Sequence, residues 1–173
     1  MEGPSGIFSR DALFGTIRAL NGAVRFPRRD PTWTRCEYVA MKFEDSPLVL
    51  LVEDYEDTRL LLRTLLEKKG IRVVEAGDGR AAMKIARKEL PDLILMDFSL
   101  PGLDGIAATK SIRAEASTAH IPIVALSAHC SDARWREKAQ AAGCAYCLSK
   151  PLDFAQLDKY LLELLPPPSP RPD

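Results

Sequence analysis

Between residues 47 and 165, short apolar runs alternate with longer segments of helical spacing. The apolar runs are five to seven residues long, which is typical of strands and too short for buried helices. The predicted strands are LVLLV (48–52), IRVVEA (71–76), DLILM (92–96), IPIVALS (121–127) and AYCLS (145–149). The predicted helices are TRLLLRTLLEKKG (58–70), DGRAAMKIARKEL (78–90), DGIAATKSIRAE (104–115), SDARWREKAQAAG (131–143) and DFAQLDKYLLELL (153–165).

This alternation predicts one α/β domain. Strands that alternate with helices are joined by crossovers and form a parallel sheet with helices on both faces. The strands are apolar along their whole length rather than at every second position, as is typical of strands buried on both faces. We therefore expect a three-layer, doubly wound, five-stranded parallel sheet.

The ends of the chain differ from this regular middle. Residues 1–40 contain six arginines and no lysine, with a short stripe of helical spacing between Leu13 and Val24. Met41 then opens a stretch typical of a protein start, so we expect residues 1–45 to be an N-terminal extension, either disordered or read from upstream of the true start. Residues 46–166 form the predicted domain. Residues 167–173 are a Pro-rich tail that fits neither a helix nor a sheet interior.

The composition of the chain argues against several classes of function. The chain has 24 basic and 24 acidic residues, so no overall charge points to nucleic acid or to a membrane surface. No apolar run approaches the ~20 residues of a membrane span. The four cysteines do not form the framework of a small secreted protein, which favours a reducing cytoplasm. Cys144 and Cys147 have CxxC spacing but lead into a strand, which is the wrong context for a thioredoxin-type motif.

Polar groups follow four of the five predicted strands. Glu53 and Asp54 follow the first, Asp97 follows the third, Ser127 ends the fourth and Lys150 follows the fifth. Sites in open α/β sheets form outside the carboxyl ends of the strands, so we expect these side chains to converge. Three carboxylates in close contact repel one another unless a cation lies among them, and oxygen ligands suit Mg²⁺. With a lysine and a hydroxyl nearby, such a site is suited to phosphoryl transfer onto a carboxylate.

Four sequence blocks in order, VLLVEDYEDTR, LILMDFSLPGLDG, IVALSA and LSKPLD, resemble the receiver domain of two-component response regulators. The resemblance covers residues 47 to about 165. It implies the flavodoxin-like strand order 2-1-3-4-5, which is known for this fold family. It also implies that Asp97 is the phosphoacceptor, that Asp54 binds Mg²⁺ directly and that Glu53 binds it mainly through water. Asp97 itself and the backbone carbonyl of Ser99 complete the implied metal ligands.

The resemblance assigns the other site residues as well, with one departure. Ser127 is implied to be the hydroxyl that moves to the phosphoryl group, Lys150 the family's lysine, and Lys150–Pro151 a cis peptide bond. Three residues before that lysine the family often has an aromatic residue whose rotamer follows phosphorylation. Here that position is Cys147, and Tyr146 precedes it on the opposite face of the strand. The aromatic switch is therefore not expected in its usual form.

These features predict a stand-alone receiver that accepts a phosphoryl group from a histidine kinase or phosphotransfer protein and signals by altered partner binding. We expect the downstream partner to bind the fourth helix, fifth strand and fifth helix, with no direct contact to nucleic acid or membrane. Catalysis is limited to Mg²⁺-dependent self-phosphorylation and autodephosphorylation. The alternatives are a phosphorylation-independent interaction module and a receiver fragment of a hybrid kinase or larger regulator. A haloacid-dehalogenase-type phosphatase is disfavoured because Ser99 stands where that class needs a second aspartate.

Overall fold

The computed structural model describes residues 46–166. The expected extension (1–45) and the expected tail (167–173) lie outside the described residues. No helix in the described range is long and apolar enough to cross a membrane.

Five strands and five helices alternate along the described chain. The strands are β1 (Leu48–Val52), β2 (Arg72–Ala76), β3 (Leu93–Asp97), β4 (Ile123–Ser127) and β5 (Tyr146–Ser149). The helices are α1 (Glu56–Lys68), α2 (Gly79–Glu89), α3 (Gly105–Ala114), α4 (Ala133–Ala142) and α5 (Phe154–Leu164). All ten predicted elements are present, with boundaries that differ by at most two residues.

The strands form one parallel sheet in the order β2-β1-β3-β4-β5. This order confirms the flavodoxin-like, doubly wound α/β fold. In its register, Val52 lies opposite Met96, and Asp97 lies opposite Leu126. The carboxyl ends of β1, β3 and β4 are therefore neighbours at one edge of the sheet, which is the edge that carries the polar residues.

The sheet separates two apolar clusters. Alternate residues of the central strands, such as Leu50 and Ile94, pack against α2, α3 and α4, whereas Leu51 and Leu95 pack against α1 and α5. Strands β1, β3 and β4 are almost fully buried, which explains their uninterrupted apolar character. The rigid core holds the strand ends, and hence the site residues, in fixed positions.

Most helix ends follow their sequence signals. Asp78 and Asp153 accept hydrogen bonds from the first backbone N–H groups of α2 and α5, and Gly143 ends α4 at φ 105°. The predicted helix 131–143 begins at Ser131, which we expected to cap it; that expectation is wrong, because the side chain of Asp132 accepts the hydrogen bond from the Arg134 N–H. Both residue types serve as caps, so the sequence did not distinguish them.

Candidate functional site

The acids predicted to converge do lie together. Glu53 and Asp54 follow β1 and Asp97 ends β3, and each offers a carboxylate oxygen within 4.8 Å of the other two. Glu53 and Asp97 are each only 2% exposed, whereas Asp54 is exposed. The cluster thus has a buried side, formed by two carboxylates, and a side open to solvent.

Lys150 joins the two buried carboxylates. Its Nζ lies 2.7 Å from Glu53 Oε2 and 2.8 Å from Asp97 Oδ2. Burial lowers the pKa of Lys150, but its hydrogen bonds and charge interactions with Asp97 and Glu53 outweigh burial and raise it overall. Burial and the charge of Asp97 raise the pKa of Glu53, and together they outweigh the lowering by the hydrogen bond and charge of Lys150 and by the Tyr55 N–H. Because three carboxylates share the single ammonium group of Lys150, the cluster keeps an excess of negative charge.

The second oxygen of Asp97 is also engaged. Asp97 Oδ1 accepts a hydrogen bond of 2.8 Å from the backbone N–H of Ser99. Phe98, which directly follows Asp97, donates its backbone N–H to the carbonyl of Leu126 on β4 at 3.0 Å. The carboxylate is thus held in one orientation at the end of a buried strand. Ser99 itself is exposed, and its carbonyl as a metal ligand stays a prediction.

Ser127 lies at the neighbouring strand end, 2% exposed. Its Oγ accepts the backbone N–H of His129 at 3.2 Å, and its carbonyl accepts the backbone N–H of Lys150 at 3.0 Å. Among the described residues, its hydroxyl makes no hydrogen bond to Asp97. The Lys150–Pro151 peptide is cis, as predicted.

The donor set fits a hard divalent cation. Three carboxylates from two adjacent strand ends supply oxygen ligands, the type that Mg²⁺ prefers. Lys150 balances a single negative charge, so a divalent ion at the open side of the cluster would relieve the remaining repulsion. Glu53, Asp54 and Asp97 are the residues that would hold it.

Sequence reasoning missed Arg59. Its Nη1 donates to the carbonyls of Glu53 at 2.8 Å and of Asp54 at 3.4 Å, and its Nε lies 3.4 Å from Glu75 Oε1 on β2. Arg59 thus ties the acidic loop to the first turns of α1. The available signal was its position in the first turn of α1, close after the acid pair in sequence.

Cys147 forms a bond that the sequence analysis did not anticipate. Cys147 is disulfide-bonded to Cys130, with Cα atoms 5.5 Å apart, while Cys144 is a buried free thiol. Burial raises the pKa of Cys144 to about 11. Tyr146 lies on the opposite face, as predicted, where its ring stacks on that of Tyr160 at 4.2 Å. The CxxC spacing therefore gave no pair, and the bond joins two cysteines that sequence reasoning did not connect.

The model of the response regulator receiver domain family matches residues 49–162. The chain belongs to the response regulator receiver family. Receiver domains bind Mg²⁺ at an acidic pocket, and this chain has an acidic cluster formed by Glu53, Asp54 and Asp97.

Named relatives include both larger sensors and single-domain regulators. The chain is 40% identical over 121 residues to the sensor protein GacS of Pseudomonas syringae pv. syringae, covering 68% of this chain and 13% of GacS. It is 36% identical over 104 residues to the polar-differentiation response regulator DivK of Brucella anthropi, covering 60% of this chain and 84% of DivK. The chain thus spans about an eighth of one relative and most of the other.

A solved structure supports the same assignment to the receiver family. The receiver domain of the sensor histidine kinase PA1611 from Pseudomonas aeruginosa, solved with a magnesium ion in its active-site cleft, is similar at a TM-score of 0.63. The two are 36% identical, and the match covers 69% of this chain and 97% of that receiver domain. The fold and the family therefore agree with the expectation from the sequence.

Proposed function

We propose that this receiver domain accepts a phosphoryl group on Asp97 in a Mg²⁺-dependent reaction. The observation that carries the proposal is the position of the Asp97 carboxylate, within 4.8 Å of the Glu53 and Asp54 oxygens and 2.8 Å from Lys150 Nζ. An isolated buried aspartate would be destabilising, whereas this one lies among groups that suit a cation and a phosphoryl group.

The proposed step is an in-line displacement. A carboxylate oxygen of Asp97 forms a bond to phosphorus as the bond to the donor's leaving atom breaks, and the leaving group takes up a proton. When bound by Glu53, Asp54, Asp97 and the Ser99 carbonyl, Mg²⁺ supplies neutralisation of charge on the phosphoryl oxygens. Lys150 would pair with the transferred phosphoryl group through its ammonium. The hydroxyl of Ser127 leaves its bond with the His129 N–H and donates to a phosphoryl oxygen.

The charge that phosphorylation adds is the signal. Receiver domains interact with histidine kinases or phosphotransfer proteins, and we propose such a protein as the donor for this chain. We propose that residues 46–166 are the functional unit and that it acts in the cytoplasm. The movement of Ser127 and of the loop after β4 would change the surface formed by α4, β5 and α5, and a downstream protein would read that change. Outside this self-phosphorylation and its reversal, no turnover of a substrate is proposed.

The relatives suggest two protein contexts for this receiver domain. DivK, a response regulator, matches over 84% of its length, which favours a receiver that stands alone. The matches to the sensor protein GacS and to the receiver domain of the sensor kinase PA1611 favour a second possibility, in which the same domain is part of a larger sensor kinase. The chemistry at Asp97 is the same in both.

The test is phosphorylation of the full chain by acetyl phosphate in the presence of Mg²⁺. Intact-mass measurement should show a gain of about 80 Da, the mass of one phosphoryl group. Asp97→Asn should show no gain, because the amide is not a nucleophile of this type. Asp104→Asn is the matched control: it changes an aspartate in the loop that follows β3, and asparagine preserves the helix cap that Asp104 provides to α3.

Two further measurements separate the role of the metal from that of the phosphoacceptor Asp97. Chelation of Mg²⁺ should abolish labelling of the wild type, and Asp54→Ala should weaken Mg²⁺ binding measured by calorimetry. Labelling that persists in Asp97→Asn or in excess chelator contradicts the proposal. Equal Mg²⁺ affinity in Asp54→Ala would place the metal elsewhere.

A further inference from the structure

A covalent bond joins the loop after β4 to strand β5. Cys130 lies three residues after Ser127, and Cys147 lies three residues before Lys150. Their Cα atoms are 5.5 Å apart, within the range that a disulfide requires without backbone movement. The bond therefore connects the segments that carry two of the proposed phosphoryl contacts.

The sheet register explains why these cysteines meet. Cys147 lies opposite Ala125 on β4, and both residues face the apolar cluster under α2, α3 and α4. After Ser127 the chain turns, and the Cys130 N–H donates to the Ser127 carbonyl at 3.4 Å. Cys130 then lies beside Cys147 of β5, with their Cα atoms 5.5 Å apart. The pairing thus follows from the arrangement of β4 and β5.

The two cysteines differ in exposure. Cys130 is 4% exposed, whereas Cys147 is half-buried, so we expect a small oxidant or reductant to reach the bond from the Cys147 side. Cys144, the other described cysteine, is buried and its pKa is raised to about 11, so it has little thiolate with which to compete. A disulfide that forms in a reducing compartment is usually reversible rather than permanently structural.

We propose that Cys130 and Cys147 form a reversible disulfide that tethers the β4–α4 loop to β5 and restrains the loop movement that follows phosphorylation of Asp97. The restraint on the phosphorylated form rests on the function proposed above, whereas the disulfide and its tether do not. Only the noncovalent contacts remain after reduction, such as that of Arg136 Nη1 with the Cys130 carbonyl at 3.0 Å.

The oxidant is a small-molecule disulfide such as oxidised glutathione. The thiolate of Cys147 attacks one sulfur of the oxidant, forming a mixed disulfide and releasing one molecule of reduced thiol. The thiolate of Cys130 then attacks the Cys147 sulfur, forming the internal bond and releasing the second reduced thiol. The protein loses two electrons and two protons, the oxidant gains both, and excess reduced thiol reverses the reaction.

The first test uses the full chain equilibrated with oxidised or reduced glutathione. After free thiols are alkylated, tryptic digestion without reductant should yield residues 114–134 linked to residues 139–159 in the oxidised sample alone. Cys144 lies in the second peptide as well, so fragment ions must place the link at Cys147, and Cys144→Ser should retain the link. Free, alkylatable Cys130 and Cys147 after oxidation, or a link to Cys36 or Cys144, would overturn the proposal.

The second test measures the tether without phosphorylation. Backbone amides of residues 128–135 should exchange at least about fivefold more slowly in the oxidised than in the reduced protein, and Tm should rise by about 5 °C or more. Cys130→Ser and Cys147→Ser should each remove this dependence on glutathione, and Cys144→Ser should keep it. Equal exchange in oxidised and reduced wild type, which requires no variant to fold, would show that the bond restrains nothing.

The third test concerns the phosphorylated form. With acetyl phosphate and Mg²⁺, hydrogen exchange across residues 127–147 should change in the reduced protein and change less than half as much in the oxidised protein. An equal change in both overturns the restraint. Absence of labelling at Asp97 in both redox states contradicts the proposed function and with it the restraint, while the disulfide is decided by the first two tests.

Discussion

Gly105, the first residue of α3, lies against the backbone that carries Asp97. A Cβ atom built on Gly105 falls 2.1 Å from the carbonyl oxygen of Asp97 and 2.8 Å from Cα of Phe98. Ordinary contacts of this kind begin at 3.4 Å. Gly105→Ala therefore requires the start of α3 and the end of β3 to separate by roughly 1.3 Å, the difference between 3.4 Å and 2.1 Å.

That separation has a definite energetic consequence. Inserting a methyl group into a packed site costs ~1–3 kcal/mol, and disturbing the hydrogen bond from the Phe98 N–H to Leu126 costs about 1 kcal/mol more. Replacing glycine by alanine returns ~0.4–1 kcal/mol by restricting the unfolded chain. We expect a net loss of about 1–3.6 kcal/mol, compared with the ~5–15 kcal/mol that stabilises a typical domain.

Urea unfolding followed by circular dichroism measures this loss directly. Gly105→Ala should lower the transition midpoint with little change in slope, and phosphorylation by acetyl phosphate should slow because the carboxylate of Asp97 moves. Gly77→Ala is the matched control: its nearest neighbour would be Arg59 Nη1 at 3.8 Å, an ordinary contact. A Gly105→Ala protein as stable as wild type, or no less stable than Gly77→Ala, would refute the packing argument.

Three further outcomes are expected. Arg113 donates to three backbone carbonyls, including that of Gly143 at 2.8 Å, so Arg113→Ala should cost ~2–3 kcal/mol in urea unfolding, and Arg113→Lys should recover less than half of it. Thr118 is 1% exposed and its hydroxyl donates to the Ile112 carbonyl at 2.8 Å, so Thr118→Val should cost ~1–2 kcal/mol; an unchanged midpoint would contradict this. A chain that begins at Met41 should unfold within ~0.5 kcal/mol of the full chain, because the described core lies between residues 46 and 166. A much lower Tm would show that the stripe between Leu13 and Val24 packs on the domain.

The sequence by itself determined the elements and which residues end each strand. Strands buried on both faces must be apolar throughout, so LILM followed by Asp97 marks both a central strand and its end. Parallel strands place all their carboxyl ends at one edge, and this rule alone brought Glu53, Asp54, Asp97, Ser127 and Lys150 to the same region. The order of the strands came from the family resemblance rather than from their pattern.

Only the tertiary structure decided which of these groups touch. Lys150 contacts Glu53 across 97 residues of chain, whereas the hydroxyl of Ser127 engages the His129 N–H instead of Asp97. Such contacts depend on side-chain reach and loop path, which leave no periodic signal in a sequence.

The disulfide shows the same division. The sequence offered Cys144 and Cys147 as a close pair, but Cys144 lies before β5 and is buried as a free thiol in the same apolar cluster that Cys147 packs against. Cys130, 17 residues from Cys147, becomes its partner because β4 and β5 are adjacent and the loop after Ser127 folds back over them. Spacing along the chain therefore does not decide which cysteines pair, because a disulfide requires that their Cα atoms lie close together in the folded structure.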